Sequence, residues 1–196
     1  MINQFKKVLF FADGAKGEHA ALVRALQIAV DNGGEMVVID VVAEVSTNDL
    51  RLQSSIKELQ DSLIRDRGLA LDELIAGLPM VKGKQPSVKR IVVPGKDYIE
   101  VIKTVVREKF DVVIKAANPK SALTSVLFGN NDIRLLHHCP CPVIVLKPSR
   151  RKKIHHILAA VDPLTENKES IELNRSIVDS AVSLAEIEQA ELHVLH

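Results

Sequence analysis

The sequence predicts an α/β protein: a doubly wound, five-stranded parallel sheet followed by a β-α-β half-unit of a second repeat. Three observations predict it. Apolar runs rich in Val and Ile alternate with helical patterns along the chain, the order that yields parallel strands joined by crossover helices. Packing falls to aliphatic side chains, since 46% of the 196 residues are hydrophobic but only 3% are aromatic and Trp is absent; that bias suits strands covered on both faces. Finally, the opening recurs. Lys6-Lys7-Val8-Leu9-Phe10-Phe11-Ala12-Asp13 returns as His155-His156-Ile157-Leu158-Ala159-Ala160-Val161-Asp162, and Glu35-Met36-Val37-Val38-Ile39 as Glu191-Leu192-His193-Val194-Leu195. The first offset, 157 − 8 = 149 residues, is the size of one domain. The expected domains are therefore residues 1–149 as a full unit and residues 150–196 as the start of another, ending at His196 after strand, helix and strand.

The elements follow in order. Strand one runs from Lys7 to Ala12 and closes on Asp13-Gly14. Glu18 to Asp31 is a helix with Leu22, Ala25, Leu26 and Ala29 on one face, ended by Gly33-Gly34. Strand two spans Met36 to Val42. A long helix from about Asp49 to Ala76 places Leu52, Ile56, Leu59, Leu63 and Leu74 at helical spacing. Strand three, Val88 to Val93, stops at Pro94-Gly95, and Asp97 is placed to cap a helix whose apolar stripe is Ile99, Ile102 and Val106. Strand four is Asp111 to Ala116. A loop from Ala117 to about Phe128 leads to Gly129 and a short helix carrying Ile133 and Leu136, and strand five is Val143 to Leu146. Right-handed crossovers in such a sheet put a ligand crevice at the strand C-termini.

Composition excludes several classes of function. A net charge of +1 offers no global field for nucleic acid or an anionic membrane. The basic run Lys147-Pro148-Ser149-Arg150-Arg151-Lys152-Lys153 lacks the interleaved aromatics that stack on bases, and reads as a solvated linker. No apolar run approaches the roughly 18 residues of a membrane span. Cys139 and Cys141, separated only by Pro140, are poorly spaced for a disulfide and fit a reducing, cytoplasmic compartment. His137-His138-Cys139-Pro140-Cys141 lacks the two-residue gap of a zinc knuckle, so no metal is expected there, and His155 and His156 read as exposed strand residues. Gly14-Ala15-Lys16-Gly17 lacks the Gly-Lys-Ser/Thr ending of a phosphate-binding loop. There is no nucleophile elbow, paired-carboxylate constellation or Gly-x-Gly-x-x-Gly fingerprint, so no enzyme is expected.

The stretch Leu127-Phe128-Gly129-Asn130 through Leu135-Leu136-His137-His138-Cys139-Pro140-Cys141-Pro142-Val143-Ile144-Val145 resembles the universal stress protein family. There a glycine-bearing loop, a short helix and a Cys-Pro-Val turn feed the last strand. Val8 to Asp13 and Val93-Pro94-Gly95-Lys96-Asp97 fit the same pattern, so the resemblance covers residues 6–148. With the recurrence at residues 154–196, the chain is most similar to the tandem-domain, E-type members. The resemblance implies the adenine nucleotide alpha hydrolase-like fold and a role in the stress response through binding and assembly.

Members that bind ATP resemble one another in a Gly-x2-Gly-x9-Gly-Ser/Thr loop after strand four. Glycines let the backbone approach phosphates, and a helix N-terminus faces the anion. Counted back from Gly129, those positions here hold Ala116, Pro119, Gly129 and Asn130, so one glycine of three survives. Pro119 also removes an N–H that could meet a phosphate oxygen, whereas Asn130 can still cap the helix. The resemblance thus implies a first domain that holds no ATP, with no cofactor expected. The alternative is an ATP-binding switch built from Asp13, Val41, Lys115, Ala116, Gly129 and Asn130.

Three of these positions carry readings of their own. Asp13 ends strand one at the crevice, where the resemblance implies a contact near the adenine; a turn residue satisfying its own backbone is the other reading. Val41 would offer main-chain contacts to a base, or be an ordinary core residue. Lys115 stands in the apolar run Val112-Val113-Ile114. An unpaired buried ammonium costs several kcal/mol, so its head must reach water, a carboxylate or an anion. A salt bridge inside an empty crevice is the simplest outcome. Last, a β-α-β half-unit leaves strand edges and an apolar helix face uncovered, which predicts a homodimer or higher oligomer, with half-units exchanged between chains as one route.

Overall fold

The computed structural model describes residues 5–81, 83, 87–117, 130–147, 154–164 and 167–196. The chain divides into two compact units, Phe5–Pro148 and one holding Ser149–His196. In the first, β1 (Lys7–Phe11), α1 (Glu18–Asp31), β2 (Glu35–Val42), α2 (Gln53–Ala76), β3 (Val88–Pro94), α3 (Asp97–Glu108), β4 (Val112–Ala116), α4 (Asn130–His138) and β5 (Val143–Leu146) follow in sequence. The strands form one parallel sheet in the order β3-β2-β1-β4-β5. The order turns at β1, so the chain leaves the sheet on both sides of the β1–β4 junction, the switch point at which doubly wound sheets open a crevice.

The predicted strands and helices all form, with end shifts of a few residues. β1 is inaccessible from Val8 onward because both of its edges are paired and both of its faces are covered. Asp111 aligns its start: Oδ2 accepts the Lys6 and Lys7 backbone N–H groups at 2.9 and 2.8 Å. Leu22, Ala25, Leu26 and Ala29 of α1 are buried as their spacing predicts, and α1 packs on β1, β2 and β4. Its end is glycine-dependent. Gly33 has φ 64°, and a Cβ on Gly34 would overlap the backbone of Lys6.

On the other face, Leu9, Phe11, Val37, Ile39 and Val113 form a core with Val101 and Val105 of α3 and Leu135 of α4. Here the predicted stripes need correction. The α3 stripe is turned toward Val101, Thr104 and Val105, leaving Val106 61% exposed. Asp97 is the first residue of α3 rather than its cap; Lys96 holds the cap position without a side-chain bond. In α4 the buried apolar residue is Leu135, alongside the buried Asp132, with Ile133 and Leu136 exposed. In α2 the buried residues are Gly68 and Leu71, while Leu59 and the N-cap residue Leu52 lie exposed.

The second unit consists of β6 (His156–Ala160), α5 (Lys168–Glu188) and β7 (Glu191–Leu195). The two strands pair in parallel and α5 packs on both. Asn167 caps α5 by accepting the Glu169 N–H at 3.0 Å. Its register matches that of β1 with β2. Glu191 N donates to His155 O as Glu35 N does to Lys6 O, and Val161 N to Leu195 O as Ala12 N does to Ile39 O. No helix among the described residues is long and apolar enough to cross a membrane.

Candidate functional site in the first unit

The crevice at the C-terminal ends of β1 and β4 is organised, among the described residues, around the buried cation of Lys115. Lys115 is the register partner of Phe11 and has no solvent exposure. Its Nζ donates to Asp13 Oδ2 at 2.8 Å and to Asp132 Oδ1, and lies 5.6 Å from the centroid of the Phe11 ring. Each partner is delivered by a different element. Asp13 follows β1 at the point where the chain leaves the sheet, and its other oxygen accepts the Ala15 N–H at 3.3 Å in a short turn. Asp132 lies in the first turn of α4 with its side chain 1% exposed. Burying an ammonium costs several kcal/mol unless carboxylates surround it, and here two do. One positive charge against two negative ones leaves this trio formally anionic.

Beside the trio is a cavity of about 300 Å³ whose walls include Asp13, Asp40, Val41, Arg67 and Asp97. Arg67 reaches over from α2, and its Nε donates to Asp40 Oδ2 at 2.7 Å, with a second contact from the same guanidinium. Burial pushes the Asp40 carboxyl above its ordinary value, the Arg67 guanidinium offsetting part of that. Glu18, at the start of α1, is likewise pushed up by burial although it accepts the Gly14 N–H at 2.7 Å. Among the described residues, the cavity wall thus carries Asp13, Asp40 and Asp97 together with the guanidinium of Arg67.

A family model described as the universal stress protein family matches residues 4–147. The chain belongs to the universal stress protein family. Several curated relatives carry the E-type name. The universal stress protein E homolog of Haemophilus influenzae is 25% identical over 203 residues, covering 98% of this chain and 64% of the relative. Universal stress protein E of Escherichia coli K12 is 25% identical over 199 residues, covering 97% and 61%. A functionally unknown protein from Pseudomonas aeruginosa PAO1 has a solved structure with TM-score 0.67 at 23% identity, covering 98% of this chain and 60% of that one. A universal stress protein solved in complex with cAMP shares the fold at TM-score 0.50 and 16% identity over 74% of this chain and 99% of its own. The chain therefore spans about three-fifths of the length of its E-type relatives.

Within this universal stress protein domain, the residues expected at the crevice fall into three groups. Asp13 and Lys115 are bonded to each other, and Val41 lines the cavity that Asp13 borders. Ala116 is a buried strand end. Asn130 begins α4, whereas Gly129 and Pro119 lie outside the described residues. Sequence reasoning missed Asp132, Asp40 and Arg67. Asp40 carries the same signal as Lys115, a charge inside the apolar run Val37-Val38-Ile39-Asp40-Val41-Val42. Asp132 was harder to single out, because an acid in a helix's first turn needs no further explanation.

At the opposite end of β5, Cys139 and Cys141 are free thiols with Sγ atoms 3.6 Å apart. The hydrogen bond from Cys141 lowers Cys139 to about 7. Cys141 is pushed up by the same bond and by burial.

Proposed function

We propose that the first unit is a universal stress protein domain that has exchanged its nucleotide for an internal ion trio, and that it serves the stress response by binding and assembly rather than catalysis. The observation that carries this reading is Lys115, fully buried and satisfied by Asp13 and Asp132. An ammonium already held by two carboxylates has little left to offer a phosphate. Two lost loop glycines, at Ala116 and Pro119, point the same way.

The test is heat denaturation of the purified protein, chromatography of the released small molecules, and ATP titration calorimetry on the same batch. A supernatant free of adenine nucleotide and a flat titration are expected. Stoichiometric nucleotide, or micromolar ATP binding abolished by Asp13→Ala, would overturn the reading in favour of an ATP-dependent switch. A specific observation favours that second reading: the cavity of about 300 Å³ adjoins both Asp13 and Val41.

Assembly is the other half of the proposal. The second unit leaves Leu158, Val194 and Leu195 more than half exposed on its strands, and Ile171 and Leu173 on α5. Apolar strand positions of this kind are suited to pairing with a second copy of the chain. Sedimentation equilibrium at micromolar concentration should give a dimer or larger species, and a clean monomer would refute this half alone.

A further inference from the structure

The β6–β7 pair carries three metal-ligand side chains whose donor atoms already converge. His156 Nδ1 and His193 Nε2 are 3.4 Å apart, His156 Nδ1 and Glu191 Oε2 are 3.3 Å apart, and His193 Nε2 and Glu191 Oε2 are 3.7 Å apart. All three residues are exposed. Register explains the convergence. His156 is the cross-strand partner of Glu191, and His193 follows Glu191 by two residues on the same face of β7. That face is the one turned away from the half-buried Ile157 and Leu192 of the strand pair.

Two of the separations, 3.3 and 3.4 Å, are those of atoms sharing a metal ion, and the third, 3.7 Å, is slightly longer. Ligand atoms about 2.0–2.2 Å from a tetrahedral zinc ion stand about 3.3–3.6 Å apart along the tetrahedron's edges. The three atoms here trace one triangular face of such a tetrahedron. Two imidazoles and one carboxylate are also a borderline-soft set, suited to zinc rather than to calcium or magnesium, which take oxygen ligands.

The first unit supplies an internal contrast. In the equivalent register, β1 and β2 pair Lys7 with Glu35 and Leu9 with Val37. There the position of His156 is taken by Lys7, whose Nζ lies 3.7 Å from Glu35 Oε1. The position of His193 is taken by Val37, a core residue. The same backbone arrangement that holds an ordinary ion pair in one unit therefore holds two imidazoles around the matching carboxylate in the other. Exposed ion pairs gain little from ordering their side chains; a shared cation gives all three a reason to converge.

We propose that His156, Glu191 and His193 form a binding site for a zinc-type divalent cation, with three protein ligands and a fourth position open to water. The ion bridges β6 to β7 and stabilises their pairing through its own binding free energy.

The experiment titrates Zn²⁺ against a chromophoric chelator on the 196-residue chain carrying Cys139→Ser and Cys141→Ser, which removes the competing thiol pair. Binding of about one equivalent is expected, weakened at least about tenfold in His193→Asn, in His156→Asn and in Glu191→Gln. His137→Asn and His138→Asn should leave it unchanged. Co²⁺ in place of Zn²⁺ should give the intense visible absorption of a tetrahedral site, and this should collapse in His193→Asn. Circular dichroism of each variant separates ligand loss from unfolding, and His193→Asp, which restores a donor, should recover part of the affinity. No binding to the thiol-free chain would overturn the site, as would affinity unaffected by His156→Asn and His193→Asn.

Discussion

At the scale of single residues, Lys115 governs the interior of the crevice. Its ammonium has no solvent, and its charge is balanced by Asp13 and Asp132 rather than by water. Such an arrangement is costly to break but need not be costly to replace. Lys115→Met should destabilise the fold by about 3–5 kcal/mol in urea unfolding, because it leaves two carboxylates facing each other. Adding Asp13→Asn and Asp132→Asn to that variant should restore most of the loss. Additive losses across the three substitutions would show that the trio does not act as a unit. The need for a partner, be it water, a carboxylate or an anion, was legible in the run Val112-Val113-Ile114-Lys115; its identity was not, since Asp132 is 17 positions away in a helix whose placement only the tertiary fold supplies. The thiol pair gives a second residue-scale prediction. Cys139, lowered to about 7 by the bond from Cys141, becomes a thiolate as pH rises through that value, so its alkylation by iodoacetamide should rise over the same range. Cys141→Ala removes the donor and should move the reactivity profile of Cys139 upward toward the ordinary thiol value of about 8.5.

At the scale of elements, the order of strands and helices was legible and the rotation of the helices was not. Strand identity follows from runs such as Val8-Leu9-Phe10-Phe11, which are apolar on both faces as a central parallel strand requires. Helix α1 was equally clear, because its polar and apolar faces are cleanly divided. In α3 the residues Ile99, Val101, Ile102, Val105 and Val106 allow two overlapping stripes, and only docking against Val113 and Leu135 selects between them. The selection is measurable. Val105, 2% exposed, should lose roughly 2 kcal/mol of stability on substitution by Ala. Val106→Ala should change stability by less than about 0.5 kcal/mol, as at other surface positions. Equal effects in thermal unfolding would restore the stripe that the spacing suggested. The same reasoning applies to α2, where Leu59 and the N-cap residue Leu52 have the spacing of a core face but lie exposed.

At the scale of the whole chain, the two units differ in what holds them together. The first carries fully buried strands, β1 and β4, between covering helices. In the second, the buried residues among those described are Ala159, Ala181 and Ser183. Two alanines and a serine are a meagre core, and a two-stranded sheet on one helix is marginal by itself. The recurrence of sequence at residues 154–196 made the β-α-β order legible, yet it gave no measure of how little that order buries. Hydrogen exchange separates the two units without altering a residue. Amides of β1 and β4 should exchange only through global opening of the first unit, whereas those of β6 and β7 should exchange through local opening, orders of magnitude faster. Dilution supplies the discriminating step. If a second copy covers Leu158, Val194 and Leu195, protection of β6 and β7 should rise with protein concentration while that of β1 and β4 stays constant. Concentration-independent, rapid exchange in β6 and β7 would mean that these exposed apolar side chains meet water rather than another chain.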